Sequence, residues 1–514
     1  MYLNNSEKML FISRYIVPSK YFLFILIIFC VCYRSNSQGG YGNNWILGYD
    51  SEIPNIKGSL LSFSANSIEI TGINKSMVLE GSNTSISNYD GILQFYSNGC
   101  YINDSDNQKI LNSDSIGLGV LSTSYCNTGG NPLNQSIIAL PIQGDNNIYY
   151  LFYPDLESPY RHSKENYFAL APLHLYYSVV DMSKNDGKGE VTIKNSLVIS
   201  DTLARGMIQA TSSNTKDCWW IIMPESHSNC YYIIRLSING IDTILHQCLG
   251  EVWGDRDLTG QAVFSPNGKK YVRFNYFYGL NIYDFDDLTG RLSSPINIKI
   301  PIDTFYYSGV AISPNSRYIY ATTFDKLFQL DLNSSDSLIN NTLIAELNTP
   351  QDIQFKTRFN HAVLAADGKI YIGGTNTHNY LHVIQSPNCG GQNCDLQQYA
   401  VKMPSWNIYG MPNQPTYNDW GSSNVCDSIV GTLSIKRHEF KTKIFPSPFY
   451  NNVQIEVNEP VRLTILDIFG RIVYGQELNK NINNVFLQHL NTGVYFFLLS
   501  NKYELVVQRK LIKL

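Results

Sequence analysis

A twelve-residue pattern that recurs three times in the middle of the chain constrains the fold more than any other feature. The copies begin at Gln261, Gly309 and His361, and each places an apolar stretch on both sides of a polar turn. The turns read Ser-Pro-Asn-Gly, Ser-Pro-Asn-Ser and Ala-Ala-Asp-Gly, and they are 48 and 52 residues apart. A period of about 40 to 50 residues with several strands per unit is typical of a β-propeller blade.

A third apolar strand follows each hairpin, and a single sheet of this size cannot bury both of its faces. Sheets stacked around an axis cover one another and leave only short edges. Weaker hairpins precede the three copies at 90–96, 136–152 and 207–223, and strands within 45–70 supply another unit. We therefore predict an all-β chain with a seven-bladed β-propeller, with six or eight blades as alternatives. Two unrelated β-sandwiches are the competing interpretation, but they do not explain the repeated turn.

The composition agrees with strands and excludes one class of partner. Charged residues make up 16% of the 514 residues, whereas tyrosine alone occurs 36 times. Aromatic residues favour strands over helices. The net charge is -4 and the pI is near 6.1, so the chain lacks the basic surface that nucleic-acid binding requires.

The N-terminus predicts export. Lys8, Arg14 and Lys20 precede an apolar run over 21–33, and the small residues at 35–37 offer a cleavage position. Together these features are typical of a secretory signal peptide, here 1–37, with Gln38 as the first mature residue. The apolar run is shorter than the roughly 20 residues that a permanent membrane helix needs. We expect no membrane-spanning segment in the mature chain.

Eight cysteines remain after the leader is removed, and an even number in an exported chain indicates disulfides. The hairpin turn at Asn239-Gly240 places Cys230 and Cys248 within one residue of being opposite, which makes them the favoured pair. A link among Cys389, Cys394 and Cys426 is the second candidate. A zinc site is the rival interpretation, but no closely spaced cysteine pair faces a matching second pair.

The last seventy or so residues read as a small β-sandwich. Segments 453–457 and 461–465 alternate apolar and polar residues with the period of half-buried strands. Gly470 and Gly493 stand in the turns, where glycine accepts a positive φ without a side-chain clash.

Motifs in this tail resemble the type A C-terminal sorting domain of the type IX secretion system of Bacteroidetes. The matching positions are Pro446, Pro448, Asp467, Gly470, Arg471, Gly493, Tyr495 and Lys510. Ser447 departs from the asparagine that usually stands between the two prolines. The resemblance implies an immunoglobulin-like sorting domain at 443–514 that engages the type IX machinery. It further implies a protein that crosses the periplasm and is then secreted or attached to the outer-membrane surface.

The middle of the chain, 38–426, resembles the WD40/YVTN-like propellers of large Bacteroidetes surface proteins. The resemblance is carried by the Ser-Pro-Asn turns and by segment 410–417, among others. It implies fold and location, but no biochemical activity. A linker over 427–442 is expected to join this propeller to the sorting domain.

Catalytic and metal-binding motifs are nearly missing from the sequence, so we predict no catalytic residue, metal ligand or cofactor. His361, His378 and His382 could meet at one rim, although ordinary structural roles are the simpler interpretation. The acidic pair Asp255/Asp257 and the acidic group Asp284/Asp286/Asp287 could hold calcium, but solvated turns are the simpler interpretation.

Four tyrosines are the predicted binding residues: Tyr276, Tyr278, Tyr306 and Tyr307. They fall between strands or between blades, where exposed rings can stack on sugars or on a protein partner. Packing between blades is the alternative role for each ring. The sequence therefore favours an exported binding module for a glycan or protein. The alternative function is an extracellular hydrolase or lyase that uses the propeller mouth.

Overall fold

The computed structural model describes residues 39–64, 67–157, 160–161, 168–169, 172–215, 217–254, 256–257, 260–301, 307–334, 341–351, 353–417, 442–458, 460–469, 471–500 and 505–514. The predicted signal peptide and nearly all of the predicted linker lie outside these residues. The chain divides into two compact units, Met1–Cys426 and Asp427–Leu514.

Seven small antiparallel sheets account for nearly all strands described in the first unit, and we call them blades 1 to 7. Blade 1 contains β1 (Asn44–Leu47), β2 (Gly58–Ser64) and β3 (Ser67–Ile73), and blade 2 contains β4 (Thr84–Ser87), β5 (Leu93–Ser97) and β6 (Ile102–Asp104). Blade 3 contains β7 (Ile138–Pro141), β8 (Ile148–Pro154), β11 (His174–Asp181) and β12 (Glu190–Ser200). Between β8 and β11 the chain forms a separate two-stranded sheet from β9 (Tyr160–Arg161) and β10 (Phe168–Ala169).

The four remaining blades each have four strands in chain order. Blade 4 contains β13 (Gln209–Ser212), β14 (Cys218–Pro224), β15 (Cys230–Ser237) and β16 (Gly240–Cys248); blade 5 contains β17 (Gln261–Phe264), β18 (Lys270–Asn275), β19 (Gly279–Asp286) and β20 (Arg291–Ile298). Blade 6 contains β21 (Ser308–Ile312), β22 (Tyr318–Thr323), β23 (Lys326–Asp331) and β24 (Asn341–Glu346); blade 7 contains β25 (Ala362–Leu364), β26 (Ile370–Ile372), β27 (His378–Ile384) and β28 (Leu396–Asn407). Short helices lie at Ser122–Cys126 (α1), Gly40–Gly42, Asn185–Gly187 and Gly391–Cys394.

Each pair of neighbouring blades shares one hydrophobic cluster, so the described core consists of seven wedges arranged around an axis. The wedge between blades 7 and 1 closes the ring. In it the Trp45 ring of blade 1 meets the Tyr371 ring of blade 7 edge to face, with centroids 5.7 Å apart. Asp50 also forms a bridge to Trp406 at the end of β28. The predicted propeller, with seven blades, is confirmed.

The repeated turns have a common hydrogen-bonding scheme that explains their sequence. The Ser265 hydroxyl donates to Asn267 Oδ1 (2.7 Å) and accepts from the Lys270 amide (2.9 Å). Ser313 makes the equivalent contacts with Asn315 and the Tyr318 amide, at 2.6 and 2.8 Å. The serine thus joins the two strands while the asparagine holds the turn. We call the side of the ring with these turns the turn face, and the side with the blade-to-blade connections the crossover face.

Two disulfides lie entirely within the described residues, Cys100–Cys126 and Cys230–Cys248. The second joins residues that are directly opposite in the β15–β16 register. Cys389 is also disulfide-bonded. Cys394, a candidate for that second link, instead keeps a free thiol, and burial raises its pKa to about 11. It sits in the wedge between blades 6 and 7, where it serves as a small apolar residue.

The second unit is a two-sheet β-sandwich, as the alternation predicted. One sheet contains β29 (Thr442–Phe445), β30 (Asn452–Val457) and β33 (Asn481–Phe486); the other contains β31 (Val461–Leu466), β32 (Ile472–Leu478), β34 (Gly493–Ser500) and β35 (Leu505–Lys513). The inward residues of both sheets form one buried cluster that includes Val453, Ile455, Leu463 and Ile465.

Candidate functional site

The axis of the ring is occupied by the chain itself. After β28, residues 410–417 leave the crossover face and run along the innermost strands; we call them the axial segment. The Asn413 amide donates to Asn83 O (2.8 Å), beside the first residue of β4. Further along, Thr416 forms a parallel bridge to Thr211 of β13. The axial segment therefore runs in the same direction as β13, from the crossover face towards the turn face.

Asn413 anchors the axial segment through all of its side-chain hydrogen-bonding capacity. Its Oδ1 accepts from Gln135 Nε2 (3.2 Å) and Gln209 Nε2 (3.1 Å). Its Nδ2 donates to Ile137 O (3.1 Å) and Ile208 O (3.0 Å). Since Asn413 is only 2% exposed, these bonds replace water almost completely.

Two glutamines link blades that are not neighbours. Gln135 of the blade 3 entry binds both backbone groups of Ala262 in blade 5, at 2.8 and 3.0 Å. Gln261 of blade 5 binds both backbone groups of Ala362 in blade 7, at 2.7 and 3.0 Å. Neutral side-chain amides, which do not titrate near neutral pH, therefore close this part of the channel.

A small cavity remains beside the axial segment, against the innermost strands of blades 5 to 7. Its walls are mostly apolar and include Val263, Phe264, Ile312 and Leu364. The volume of this cavity is ≈ 70 Å³. Such a cavity holds a few water molecules, whereas typical ligand pockets enclose about 300–1,000 Å³.

The three histidines considered as metal ligands are buried and bind backbone groups instead. His361 Nε2 donates to Gly260 O (3.1 Å), and His382 Nε2 donates to Thr357 O (2.6 Å). His378 Nδ1 donates to Asn376 O (2.6 Å). Burial lowers their pKa values to about 4, about 3 and about 4 for His361, His382 and His378. They are neutral at pH 7 and act as structural hydrogen-bonding groups.

Three of the four predicted binding tyrosines lie on the crossover face: Tyr276 and Tyr278 in the β18–β19 turn, and Tyr307 in the connection from β20 to β21. All three are half-buried, and Tyr306 lies outside the described residues. The Tyr276 ring contacts Phe277, with centroids 4.3 Å apart. Tyr276 and Tyr278 lie in the same turn, because β18 ends at Asn275 and β19 begins at Gly279.

Tyr278 is built into a layered stack. Its ring lies on buried Trp253 with centroids 5.1 Å apart, and its hydroxyl accepts from the Gly254 amide (2.8 Å). The Arg273 guanidinium also lies over the Trp253 ring, 3.6 Å from the ring centroid, and pairs with Asp257 (2.6 Å). This stack fixes the crossover loop between blades 4 and 5, so Tyr278 offers only part of its ring to solvent.

Arginines cover aromatic rings at two places on the crossover face. Arg256 lies over Phe277 at 4.3 Å from the centroid, and Arg358 lies over Phe324 at 4.1 Å. An arginine held over an aromatic ring in this way can also stack on the ring of a ligand or bind a planar anion.

Tyr307 belongs to a further cluster on the same face. Burial raises the pKa of Tyr409, and Glu80, Tyr307 and Tyr125 raise it further through charge interactions. Glu80 lies in the connection from blade 1 to blade 2, directly against Gly129, whose added Cβ would lie 2.3 Å from Glu80 Oε2. Tyr125 lies in α1 and Tyr409 follows β28, so together with Tyr307 and the β18–β19 turn these tyrosines come from four separate loops.

Sequence reasoning missed the amides that hold the axis, although a signal for them was present. Gln209 and Gln261 each precede an alanine at the start of an innermost strand, and His361 precedes Ala362 in the same way. A polar residue recurring at that position marks the end of the channel where side chains converge on the axis.

The sorting-motif residues hold turns and strand ends in the second unit. Asp467 accepts from the amides of Phe469 (2.9 Å) and Arg471 (3.0 Å), and the Arg471 side chain returns a bond of 2.7 Å to its carboxylate. Gly470 lies outside the described residues. The remaining motif residues are placed as follows: the bonds before Pro446 and Pro448 are cis, Gly493 begins β34, the Tyr495 hydroxyl donates to Asn491 O (2.8 Å), and Lys510 lies opposite Phe496.

Among the helices of the described residues, none has the length and apolar character needed to cross a bilayer.

Comparison with known structures gives distant similarities for the chain. The periplasmic gluconolactonase of Pseudomonas aeruginosa has 12% identity and a TM-score of 0.34, covering 86% of this chain and 98% of that chain. The extracellular domain of BT4673 from B. thetaiotaomicron has 12% identity and a TM-score of 0.38, covering 93% and 58%. The Dos1 propeller has 10% identity and a TM-score of 0.30, covering 65% and 90%. No curated protein matches the chain.

Residues 443–514 match the family described as the secretion system C-terminal sorting domain. This match covers the two-sheet sandwich from the second residue of β29 onwards, together with the motifs that predicted it. The chain therefore carries a type IX C-terminal sorting domain, and the protein is exported and then secreted or attached to the cell surface.

Proposed function

We propose that the exported propeller is a binding module whose crossover face recognises a glycan or a protein. The observation that carries this proposal is the concentration of half-buried aromatic rings on that face. Tyr276 and Phe277 share the β18–β19 turn, whereas Tyr307 and Tyr409 come from two other loops of the rigid ring. Arg256 lies over the Phe277 ring. Rigid rings held by a scaffold bind sugars and proteins at a low entropic cost.

The filled axis supports binding at the surface over chemistry in the channel. The axial segment and the glutamines occupy the space where a propeller mouth would admit a substrate. The groups nearest the axis are amides bonded to one another or to backbone, so they offer no acid–base pair.

The proposal is tested with the mature chain, Gln38–Leu514, on glycan and protein arrays, followed by titration of each hit. The double variant Tyr276→Ala/Tyr307→Ala removes two rings from the crossover face. We expect about tenfold weaker binding, since each lost aromatic contact is worth about 0.5–1.5 kcal/mol.

Tyr89→Ala is the matched control, because Tyr89 is 54% exposed and lies in the β4–β5 turn on the opposite face. Its affinity should equal that of the unsubstituted chain. Binding that survives the double variant unchanged, or that is lost in Tyr89→Ala, would place the ligand elsewhere. Cleavage of a bound glycan by the unsubstituted chain would instead favour the hydrolase or lyase alternative.

A further inference from the structure

The outer hairpin of blade 4 brings together two cysteines and a histidine at one surface position. Cys230 pairs with Cys248 across β15 and β16, and His246 stands two residues before Cys248. Alternate residues of a strand share a face, so all three side chains point to the same side of the hairpin. One ligand atom from each lies within 4.8 Å of the others.

Glu225 holds the histidine in a defined orientation. Its Oε2 lies 2.7 Å from His246 Nε2, so this nitrogen carries a hydrogen and donates a hydrogen bond to the carboxylate. The other ring nitrogen, Nδ1, then keeps its lone pair. A carboxylate that binds the distal nitrogen of a histidine is the arrangement that supports metal-ligating histidines in many proteins.

Solvent and small molecules can reach this cluster. The His246 side chain is 44% exposed, and Cys248 is exposed as well. The Cys100–Cys126 disulfide offers a contrast, because Cys100 is only 4% exposed and the pair has no histidine partner in the described residues.

We propose that reduction of the Cys230–Cys248 disulfide creates a zinc site with Cys230, Cys248 and His246 as ligands. Two molecules of a small thiol supply two electrons and two protons; the S–S bond breaks, two protein thiols form, and the small thiol leaves as its own disulfide. Zn²⁺ then displaces both thiol protons and binds two thiolate sulfurs and His246 Nδ1.

Zinc is the metal that this donor set favours. Two thiolates and an imidazole suit the tetrahedral coordination of Zn²⁺, and a water molecule completes the fourth position. Because the disulfide and the metal use the same sulfur atoms, the two states exclude each other. The thiol concentration around the protein therefore determines whether the hairpin holds a disulfide or a bound metal ion.

The test adds Co²⁺, as a spectroscopic substitute for Zn²⁺, to the full mature chain before and after reduction by an excess of a small thiol that is then removed without air. We expect one equivalent of tetrahedral Co²⁺ with sulfur-to-metal charge-transfer absorption, only after reduction, and displaced by Zn²⁺. Circular dichroism confirms that the reduced chain stays folded.

Three variants identify the ligands. His246→Ala should weaken Co²⁺ binding at least tenfold, and Glu225→Gln should weaken it by about 10–100-fold through His246. Cys100→Ser/Cys126→Ser, which removes the other described disulfide, should bind Co²⁺ as the unsubstituted chain does. A reduced, folded chain that takes up no Co²⁺, or whose uptake is unchanged by His246→Ala, would overturn the proposal.

Discussion

Lys75 is a buried cation that binds no carboxylate among the described residues. Its Nζ donates to Gly48 O (2.6 Å) and Met77 O (2.5 Å), and its side chain lies against Gly58, where a Cβ would come 2.4 Å from Lys75 Cε. Burial lowers the pKa of Lys75 from 10.5 to about 7. The neutral amine is therefore the form that suits the folded chain above pH 7.

This lowered pKa predicts a rise of stability with pH. Between pH 7 and 9 the unfolded chain binds a proton at Lys75 that the folded chain does not. The free energy of unfolding should therefore increase by up to about 1.4 kcal/mol per pH unit. Denaturant unfolding at several pH values in this window should show that slope, and Lys75→Met should lose it. An equal slope in both chains would show that Lys75 stays charged in the fold.

The buried histidines predict a loss of folding stability at acid pH. Between pH 6.5 and about 4 each histidine takes up a proton in the unfolded chain but not in the folded one. Stability should therefore fall with acid, by up to about 1.4 kcal/mol per pH unit for each histidine.

His361→Gln tests this acid loss, because an amide can still donate to Gly260 O without titrating. Its stability should fall less steeply from pH 6.5 to 4.5 than that of the unsubstituted chain, as measured by denaturant midpoints. If the two chains lose stability in parallel, His361 is not responsible for the acid sensitivity.

Some residue roles could be read from the sequence and others could not. The Cys230–Cys248 pair follows from a local hairpin, where one turn sets which residues are opposite. Asn413 is bound to Gln135, which is 278 positions away, and only the closed ring brings them together. No local pattern fixes such a pairing, so its partners were not predictable.

At the scale of elements, the axial segment holds the innermost strands of blades 3 and 4 together through Asn413. Asn413→Ala removes four side-chain hydrogen bonds and leaves two glutamine donors and two carbonyls in a buried channel. We expect a loss of about 2–4 kcal/mol in the free energy of unfolding, since each buried unpaired polar group costs about 1 kcal/mol or more.

Gln414→Ala is the graded control for this element. Gln414 donates one bond, to Ser85 O (3.0 Å), and is only partly buried. Thermal and denaturant unfolding should show a loss of about 1 kcal/mol or less. Equal losses for the two variants would mean that the Asn413 bonds do not hold the channel.

The strands of the blades were more predictable than the elements between them. The repeated Ser-Pro-Asn turn encodes a local hydrogen-bond scheme, so hairpins such as β17–β18 and β21–β22 were found at their observed positions. The axial segment has no regular backbone pairing of its own apart from the bridge at Thr416. Its extended path depends on the innermost strands that surround it.

At the scale of the whole molecule, seven sheets and their seven shared wedges form a closed ring whose axis is filled. This arrangement leaves the crossover face as the surface rich in aromatic rings from separate loops. The sorting domain delivers that surface outside the cell. The location followed from short motifs in the tail, whereas no motif specifies the ligand of the proposed binding module, because recognition surfaces arise from loops that differ between proteins of one fold.

Hydrogen exchange of the mature chain tests the filled ring most directly. The amides of Asn413 and Thr416 donate to Asn83 O and Ala210 O inside the channel, each at 2.8 Å. We predict that peptides covering 410–417 exchange as slowly as the innermost strand β13, since both open only when the ring opens. Exchange of 410–417 within seconds, while β13 remains protected, would contradict a channel filled by the chain itself.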